Sequence, residues 1–316
     1  MPRVSVIIPT FNCASYVGKA VNSVLAQTYR DYEVIVIDDG SSDNTADVLG
    51  GYGDKIRYVY QTNRGVSAAR NHGLGLATGE FIAYLDADDM WYEQKLDRQT
   101  AFLDAHADCG FVHSEVSVID EHDQIIHMQF NADTRRPVPQ GDCRYDLLQR
   151  SHIQTLTVLE RRSCIDKIGG FDERLPVAQD YMHWIRIVLE GWVVGYIAEP
   201  LGKYRWRSGS LMGNPKRLLE DYEAIYSRLL KETILENGGD TKALRIAEER
   251  LRNTERELAY IDSIEGRGTS ARRRIAGLIQ QSPFQFGLYL DLAKAYLRPS
   301  LQNRRSVLTG RSTERH

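Results

Sequence analysis

The chain has 316 residues, 42% hydrophobic and 26% charged, enough to bury a full core and to form one large domain with an appendage. Its four cysteines, Cys13, Cys109, Cys143 and Cys164, are widely spaced, which argues against a zinc site or a disulfide scaffold and fits a reducing cytoplasm. The net charge of −3 divides unevenly: from Arg267 to His316 ten basic residues meet two acids, giving +8, so the preceding 266 residues carry −11.

An apolar strand, Val4 to Ile8, begins almost at once, and no basic stretch followed by a long apolar run precedes it, so no signal peptide is expected. No window reaches 18 consecutive apolar residues, so no spanning helix is expected either. Tyr16, Ala20, Val21, Val24 and Leu25 then recur at helical spacing. Glu33–Asp38 reads as a second buried strand, Thr45–Leu49 as a short helix and Ile56–Tyr60 as a third strand. Val66–Ala77 reads as a helix and Phe81–Leu85 as a fourth strand. Strand–helix alternation with near-continuous apolar strands implies a mostly parallel sheet covered on both faces, an α/β fold. Ligands of such folds bind beyond the carboxyl ends of the strands. Those ends carry Pro9-Thr-Phe-Asn12, Asp38-Asp-Gly-Ser-Ser-Asp43 and Asp86-Ala-Asp-Asp89.

From Gly110 to Arg207 strands (Phe111–Ile119, Thr155–Glu160, Val193–Ile197, Leu201–Trp206) mix with helices near Arg162–Ile168 and Asp180–Glu190. Beyond Asn214-Pro215 the pattern is helical only. Leu219, Tyr222, Ile225, Tyr226, Leu229, Leu230 and Thr233 share one face. After a break at Asn237-Gly-Gly-Asp240, Leu244, Ala247, Leu251, Leu258 and Ile261 form a second, an antiparallel pair. This divides the chain into a domain of residues 1–213, with halves 1–109 and 110–213, and a helical region 214–316 with a basic tail.

The run Phe81-Ile-Ala-Tyr-Leu-Asp-Ala-Asp-Asp89 is the most informative. Asp86 and Asp88 can point the same way along an extended chain, and two like charges that close favour a cation between them. A hard divalent ion, Mg²⁺ or Mn²⁺, would bridge such carboxylates to substrate phosphates; a merely solvated acidic loop is the alternative. In Asp38–Asp43 the glycine permits a tight turn and an acid can accept from a base or ribose. Ser42 or Asp43 could equally cap the short helix. Arg70, within Asn63–Gly73, suits nucleotide or phosphate contact or a surface salt bridge, and His72 reads as structural. Gly169-Gly-Phe-Asp-Glu173 can approach a ligand closely. Asp180, after Gln179, is either a helix cap or a general base, and Trp184 is expected in the core.

Together these segments resemble the inverting family 2 glycosyltransferases, whose nucleotide-sugar-binding fold is called GT-A. The resemblance rests on five ordered motifs: Val4–Asn12, Val36–Asp43, Gly65–Asn71, Phe81–Asp89 and Gly169–Asp172. It implies that Phe11 and Asp39, with Pro9 beside them, hold the base of a nucleotide-diphosphate sugar, UDP favoured, and that Arg70 lies by the nucleotide. It also implies that Asp86 meets the ribose, Asp88 the metal on the diphosphate, and Asp180 is the catalytic base toward a glycan or lipid-linked acceptor. Two residues depart from the family pattern. Gln179 stands where Glu is usual, and Tyr204-Arg-Trp-Arg207 places Arg207 where a metal-side His is usual. A guanidinium has only donors and cannot bind the ion, but its charge can stabilise a leaving diphosphate.

A sugar-nucleotide pyrophosphorylase would want a glycine-rich basic loop after the first strand, which Pro9-Thr-Phe-Asn-Cys13 lacks. A non-catalytic nucleotide-sugar-binding module would not need Asp86, Asp88 and Asp180 together. At the C-terminus, apolar residues of Phe284–Leu297 lie between Arg272–Arg274 and Arg298, Arg304 and Arg305. They either pack on the helical pair or attach the protein to an anionic membrane surface from the cytoplasmic side. Nucleic acid is not expected, because the interleaved residues are mostly aliphatic and the body is acidic.

Overall fold

The computed structural model describes residues 1–135, 138–150, 153–207, 214–233 and 240–296. The chain forms two compact units, Met1–Gly213 and Asn214–His316. In the first, β1 (Val4–Thr10) is buried along its whole length. Helix α1 (Ala14–Leu25) covers it with Val17, Ala20, Val21 and Val24. There follow β2 (Tyr32–Asp38), α2 (Thr45–Gly50), β3 (Arg57–Tyr60), α3 (Val66–Leu76) and β4 (Phe81–Tyr84). Strands β1, β2, β3 and β4 are parallel, with Thr10 opposite Asp38, Asp38 opposite Tyr60 and Ile7 opposite Tyr84. Their carboxyl ends therefore open on one edge of the sheet, as expected for a sheet buried on both faces.

After β4 come β5 (Met90–Trp91), α4 (Lys95–Ala105), β6 (Cys109–Ile119), β7 (Ile125–His127), α5 (Phe130–Asp133) and α6 (Arg144–Gln149). Then follow β8 (Leu159–Arg161), α7 (Arg162–Ile168), α8 (Gln179–Leu189) and β9 (Val193–Arg205). The strand order is β3-β2-β1-β4-β8-β6-β9-β5, with β7 beside β6. Here the sheet is mixed: β8 is antiparallel to β4 and β6, β9 runs parallel to β6, and β5 is antiparallel to β9. The parallel arrangement expected from the alternating first half is thus confined to that half.

Two expectations need correction, and one helix carried no clear signal in the sequence. Thr155–Thr157 is a 3₁₀ turn, not strand, and β8 begins only at Leu159. Side chains rather than a neighbouring strand take up the carbonyls of 156–158. Trp91 Nε1 donates to Leu156 O at 2.8 Å, Gln99 Nε2 to Thr157 O at 2.7 Å and Lys95 Nζ to Val158 O at 3.2 Å. The two strands expected over 193–206 are one, β9, which passes through Pro200 at a register shift against Glu115. A proline that cannot donate is tolerated at such a bulge. Helix α4 went unread because it buries polar Lys95 and Gln99 beside Leu96 and Leu103, which blurs its apolar stripe.

In the second unit α9 (Pro215–Arg228) starts at Asn214, whose side chain accepts from Arg217 N, and runs into a π turn, Leu229–Thr233. Helix α10 (Thr241–Ile264) is capped by Asp240, which accepts from Lys242 N and Ala243 N at 3.0 Å. The expected break at 237–239 lies outside the described residues. Lys216 at the start of α9 pairs with Asp262 near the end of α10, and Arg250 meets the Tyr226 hydroxyl, so the two helices are antiparallel. Helix α11 (Gly268–Gln281) and a last helix, α12 (286–296), add a core of Ala259, Ala271, Ile275, Leu278, Leu288 and Ala295. Asp262, nearly buried, also accepts from Arg267 Nε at 2.8 Å and from Ser270 Oγ at 2.7 Å. Part of the basic segment is thereby spent inside the unit.

Candidate active site

The end of β1 is clamped to the end of β2. Asn12, in the left-handed region at φ 48°, donates its amide to Ser41 Oγ at 2.9 Å and accepts from Ser42 N at 2.8 Å. Asp43 accepts from Ala14 N, the first amide of α1, and from Thr45 N, the first of α2, each at 3.0 Å; it stands one position before the cap residue of α2, Asn44, not at the expected cap position. Phe11 is 51% exposed between these turns. Pro9 is buried within β1 opposite Ile37, so it shapes the strand end and does not line the opening.

Asp39 is only 3% exposed. Its carboxylate accepts from Gln61 Nε2 at 2.7 Å, Arg64 N at 2.9 Å and Gly65 N at 2.7 Å. Its first role in the fold is to hold the loop 61–65, which leaves little acceptor capacity for a base. Gly40, at φ 84°, lets that loop approach, since a Cβ there would lie 2.8 Å from Asn63 N. His72 Nδ1 lies 2.8 Å from Gln61 Oε1, a structural contact as read.

The three carboxylates after β4 separate into three roles. Asp86 accepts from Arg70 Nη2 at 2.6 Å. Asp88 accepts from Arg207 Nε at 2.7 Å. Asp89 is buried, accepts from Arg205 N at 2.7 Å, and has its carboxyl pushed well up by burial, then by Asp88 and Asp86. It fastens β9 to the acidic turn and is not available to a ligand. The Asp88 carboxyl is also raised, first by burial and next by Asp86, with Arg207 opposing.

Arg70, expected by the nucleotide, is instead 2% exposed on α3, behind Asp86. Its guanidinium lies 5.4 Å over the Phe171 ring, and its Nε and Nη1 make no hydrogen bond among the described residues. It is a fixed cation beneath the strand ends, close enough to Asp180 to favour the charged carboxylate.

Asp180 stands in the first turn of α8. Its Oδ2 accepts from Thr155 Oγ1 and its Oδ1 from Tyr181 N, both at 2.7 Å. Burial raises its carboxyl above the ordinary range, while Arg70 and the two hydrogen bonds pull against that rise. Gln179 Oε1 accepts from Asp180 N at 3.0 Å, so the residue that departs from the family pattern holds the first turn of α8 without adding a charge. Asp172 is held by Arg174 at 3.0 Å. The loop bearing it is joined to α3 by Asn71, which donates to Phe171 O and Glu173 Oε1 and accepts from Phe171 N.

Sequence reading missed three supports of this site: Thr155, Asn71 and the buried pair Glu160–His183. His183 Nε2 lies 3.0 Å from Glu160 Oε2, the Tyr84 hydroxyl donates to Glu160, and the His183 ring stacks on Phe171 at 4.4 Å. The pair ties α8 to β4 and β8. Asn71 lay inside a recognised motif, but Thr155 and Glu160 carry no local signal. Trp184 packs on Tyr84 and Phe111 in the core, as expected.

Two carboxylates at a strand end, Asp86 and Asp88, suit a hard ion whose remaining sites are filled by phosphate and water. Among the described residues no group of three His, Cys, Asp or Glu could hold a metal by itself. A fit of this kind therefore depends on the donor's own phosphates.

Residues 5–164 match the Glycosyl transferase family 2 pattern, just over half of the chain. The chain belongs to glycosyltransferase family 2. An uncharacterized glycosyltransferase of Rickettsia typhi is 34% identical over 237 residues, 73% of this chain and 72% of its own length. A Bacillus subtilis protein, TuaG, named as a putative teichuronic acid biosynthesis glycosyltransferase, is 32% identical over 72% of this chain and 88% of its own. Among solved structures, Staphylococcus aureus TarS 1–349 in complex with UDP-GlcNAc superposes with TM-score 0.64 at 20% identity, covering 99% of this chain and 93% of that one. The Pyrobaculum calidifontis mannosyltransferase PcManGT, with GDP-Man and Mn²⁺, gives TM-score 0.60 at 17% identity over 94% and 87%. These two likenesses show the GT-A fold. This family 2 member is a glycosyltransferase, which removes the pyrophosphorylase and the non-catalytic module from consideration.

Proposed function

We propose that the enzyme transfers a sugar, with inversion, from a nucleotide-diphosphate donor to an acceptor hydroxyl, assisted by a divalent ion, in the synthesis of a polysaccharide or glycoconjugate. The observation that carries this reading is Asp180, a carboxylate raised by burial and hydrogen-bonded at both oxygens, within electrostatic reach of Asp86. A base so raised is better matched to a hydroxyl proton than an ordinary aspartate. Asp180 takes that proton as the oxygen attacks the anomeric carbon, and the bond to the diphosphate breaks on the opposite face.

The donor occupies the edge made by Phe11, Asp39, Asp86 and Asp88, within residues 1–109, and the acceptor approaches from residues 110–213. Phe11 offers the nucleotide base an exposed ring, and Asp39 a residual lone pair. Arg70 holds Asp86 in place for the ribose. Mg²⁺ or Mn²⁺ on Asp88, when bound, would neutralise the departing diphosphate. UDP is favoured as the nucleotide, in line with the UDP-GlcNAc complex of TarS, and the acceptor is read as a glycan or lipid-linked glycan, in line with the name of TuaG.

The second unit supports attachment to an anionic membrane surface. Leu288 and Ala295 of α12 pack inward, while Phe284 at 88%, Phe286, Tyr289, Leu290 and Tyr296 are exposed. Arg273 and Lys294 are exposed as well, and the basic residues from Arg298 onward lie outside the described part. No helix among the described residues is long and apolar enough to cross a membrane, so attachment would be peripheral, from the cytoplasmic side.

A panel of labelled nucleotide sugars, assayed with Mn²⁺ and with EDTA, tests the reaction. The anomeric configuration of the product by NMR tests inversion. Retention of configuration would overturn the role given to Asp180.

A further inference from the structure

Arg207 is built into the site with unusual care. Residue Arg205, at the end of β9, donates its amide to Asp89 Oδ1, its Nε to Asp88 O and its Nη1 to Asp120 O, each at 2.7 Å. These bonds fix the strand end against the acidic turn. Arg207 lies two positions on, just past the end of β9. Both guanidinium groups face the Tyr16 ring, at 4.8 and 5.8 Å. The two differ in freedom: the Arg205 side chain is fully buried, whereas that of Arg207 is 38% exposed. Among the described residues the ion pair of Arg207 is with Asp88, Nε to Oδ2 at 2.7 Å.

That oxygen belongs to the carboxylate assigned to the divalent ion, on which this inference rests. A guanidinium is permanently charged and offers only donors, so it cannot share a lone pair with a cation, and the two positive charges repel. It can, however, turn its planar fork to phosphate oxygens. We infer that Arg207 is the resident counter-ion of the donor site. It competes with a divalent ion for Asp88 Oδ2, and when the ion takes that oxygen the guanidinium passes to the donor diphosphate. The protein thus keeps Asp88 neutralised before the donor arrives and binds the free ion poorly. Donor and ion arrive as one unit because the phosphates supply the ion's missing ligands and give Arg207 a new partner.

Titration of the full-length protein with Mn²⁺ alone, followed by loss of the free-ion EPR signal, tests the competition. Arg207→Gln is expected to bind Mn²⁺ roughly tenfold more tightly than the wild type, the scale of one charge-assisted hydrogen bond. Arg207→Lys, which keeps the charge, should stay near the wild-type value. Calorimetry with UDP at saturating Mn²⁺, where the ion holds Asp88 and the guanidinium is on the diphosphate, should show Arg207→Gln weakened by a similar factor. Adding Asp88→Asn to Arg207→Gln should remove the gained Mn²⁺ affinity, which locates the ion. Mn²⁺ affinity unchanged or lower in Arg207→Gln, in a variant whose melting temperature matches the wild type, overturns the competition while leaving the metal reading intact. If Mn²⁺ binds no variant even with UDP present, the metal reading itself fails and the competition with it.

Discussion

The Thr155 hydroxyl donates to Asp180 Oδ2 at 2.7 Å, across 25 positions of sequence. A donor to the charged form lowers a carboxylate's pKa, so it offsets part of the rise that burial imposes on Asp180. As the proposed base, Asp180 must be deprotonated to work, and activity is then lost as pH falls through its pKa. Thr155→Val should therefore move the acid limb of the kcat profile to higher pH, while Thr155→Ser restores it. The plateau should fall less than about tenfold, since the base itself remains. A pH–rate series on the three proteins checks this, and an unmoved acid limb in Thr155→Val would remove Thr155 from the site's chemistry.

Asp180→Asn should keep donor affinity and lose about 10²- to 10⁴-fold in kcat, the usual scale for a general base. Paired calorimetry with UDP and steady-state rates separate the two effects. Normal turnover would pass the role to another residue, with Asp172 next in line despite its pairing to Arg174.

Asp88→Ala should abolish the gain in UDP affinity that Mn²⁺ confers, with the circular dichroism spectrum unchanged. Its carboxylate is a partner of Arg207 at the surface of the turn, whereas the neighbouring Asp89 holds β9. Metal-stimulated binding that survives the substitution would show that Asp88 is not the ligand.

Gly170→Ala should destabilise the fold. A Cβ at this position would stand 2.4 Å from Asn71 Oδ1, the atom that accepts from Phe171 N. Shifting Asn71 would loosen the loop that carries Asp172, at a cost of about 1–3 kcal/mol, as for other overpacked positions. Thermal melts measure this, and an unchanged midpoint would mean that the loop moves freely.

Flotation with phosphatidylserine or cardiolipin liposomes should carry the full-length protein at low salt and release it at high salt. Replacing Phe284 and Phe286 by Ser should weaken flotation severalfold, since both side chains are exposed. Equal absence of binding by the wild type and this variant would make the basic segment purely structural.

The sequence by itself determined the parallel first half and its acidic edge. Each strand there is a short apolar run, and each candidate site carboxylate follows its strand directly, as in Phe81–Asp89. Side-chain alternation and the rule that ligands gather at strand ends need no distant information. The helical second unit was legible for the same reason, through the caps Asn214 and Asp240 and the stripes that follow them. What only the tertiary structure decided are the partners. Asp86, Asp88 and Asp89 look alike in sequence, yet Arg70, Arg207 and Arg205 give them three different roles. The turn at Thr155–Thr157 reads as strand until Trp91, Gln99 and Lys95 claim the carbonyls of 156–158. In each case the deciding hydrogen bond joins residues far apart in the chain, and its strength depends on burial that local periodicity does not encode.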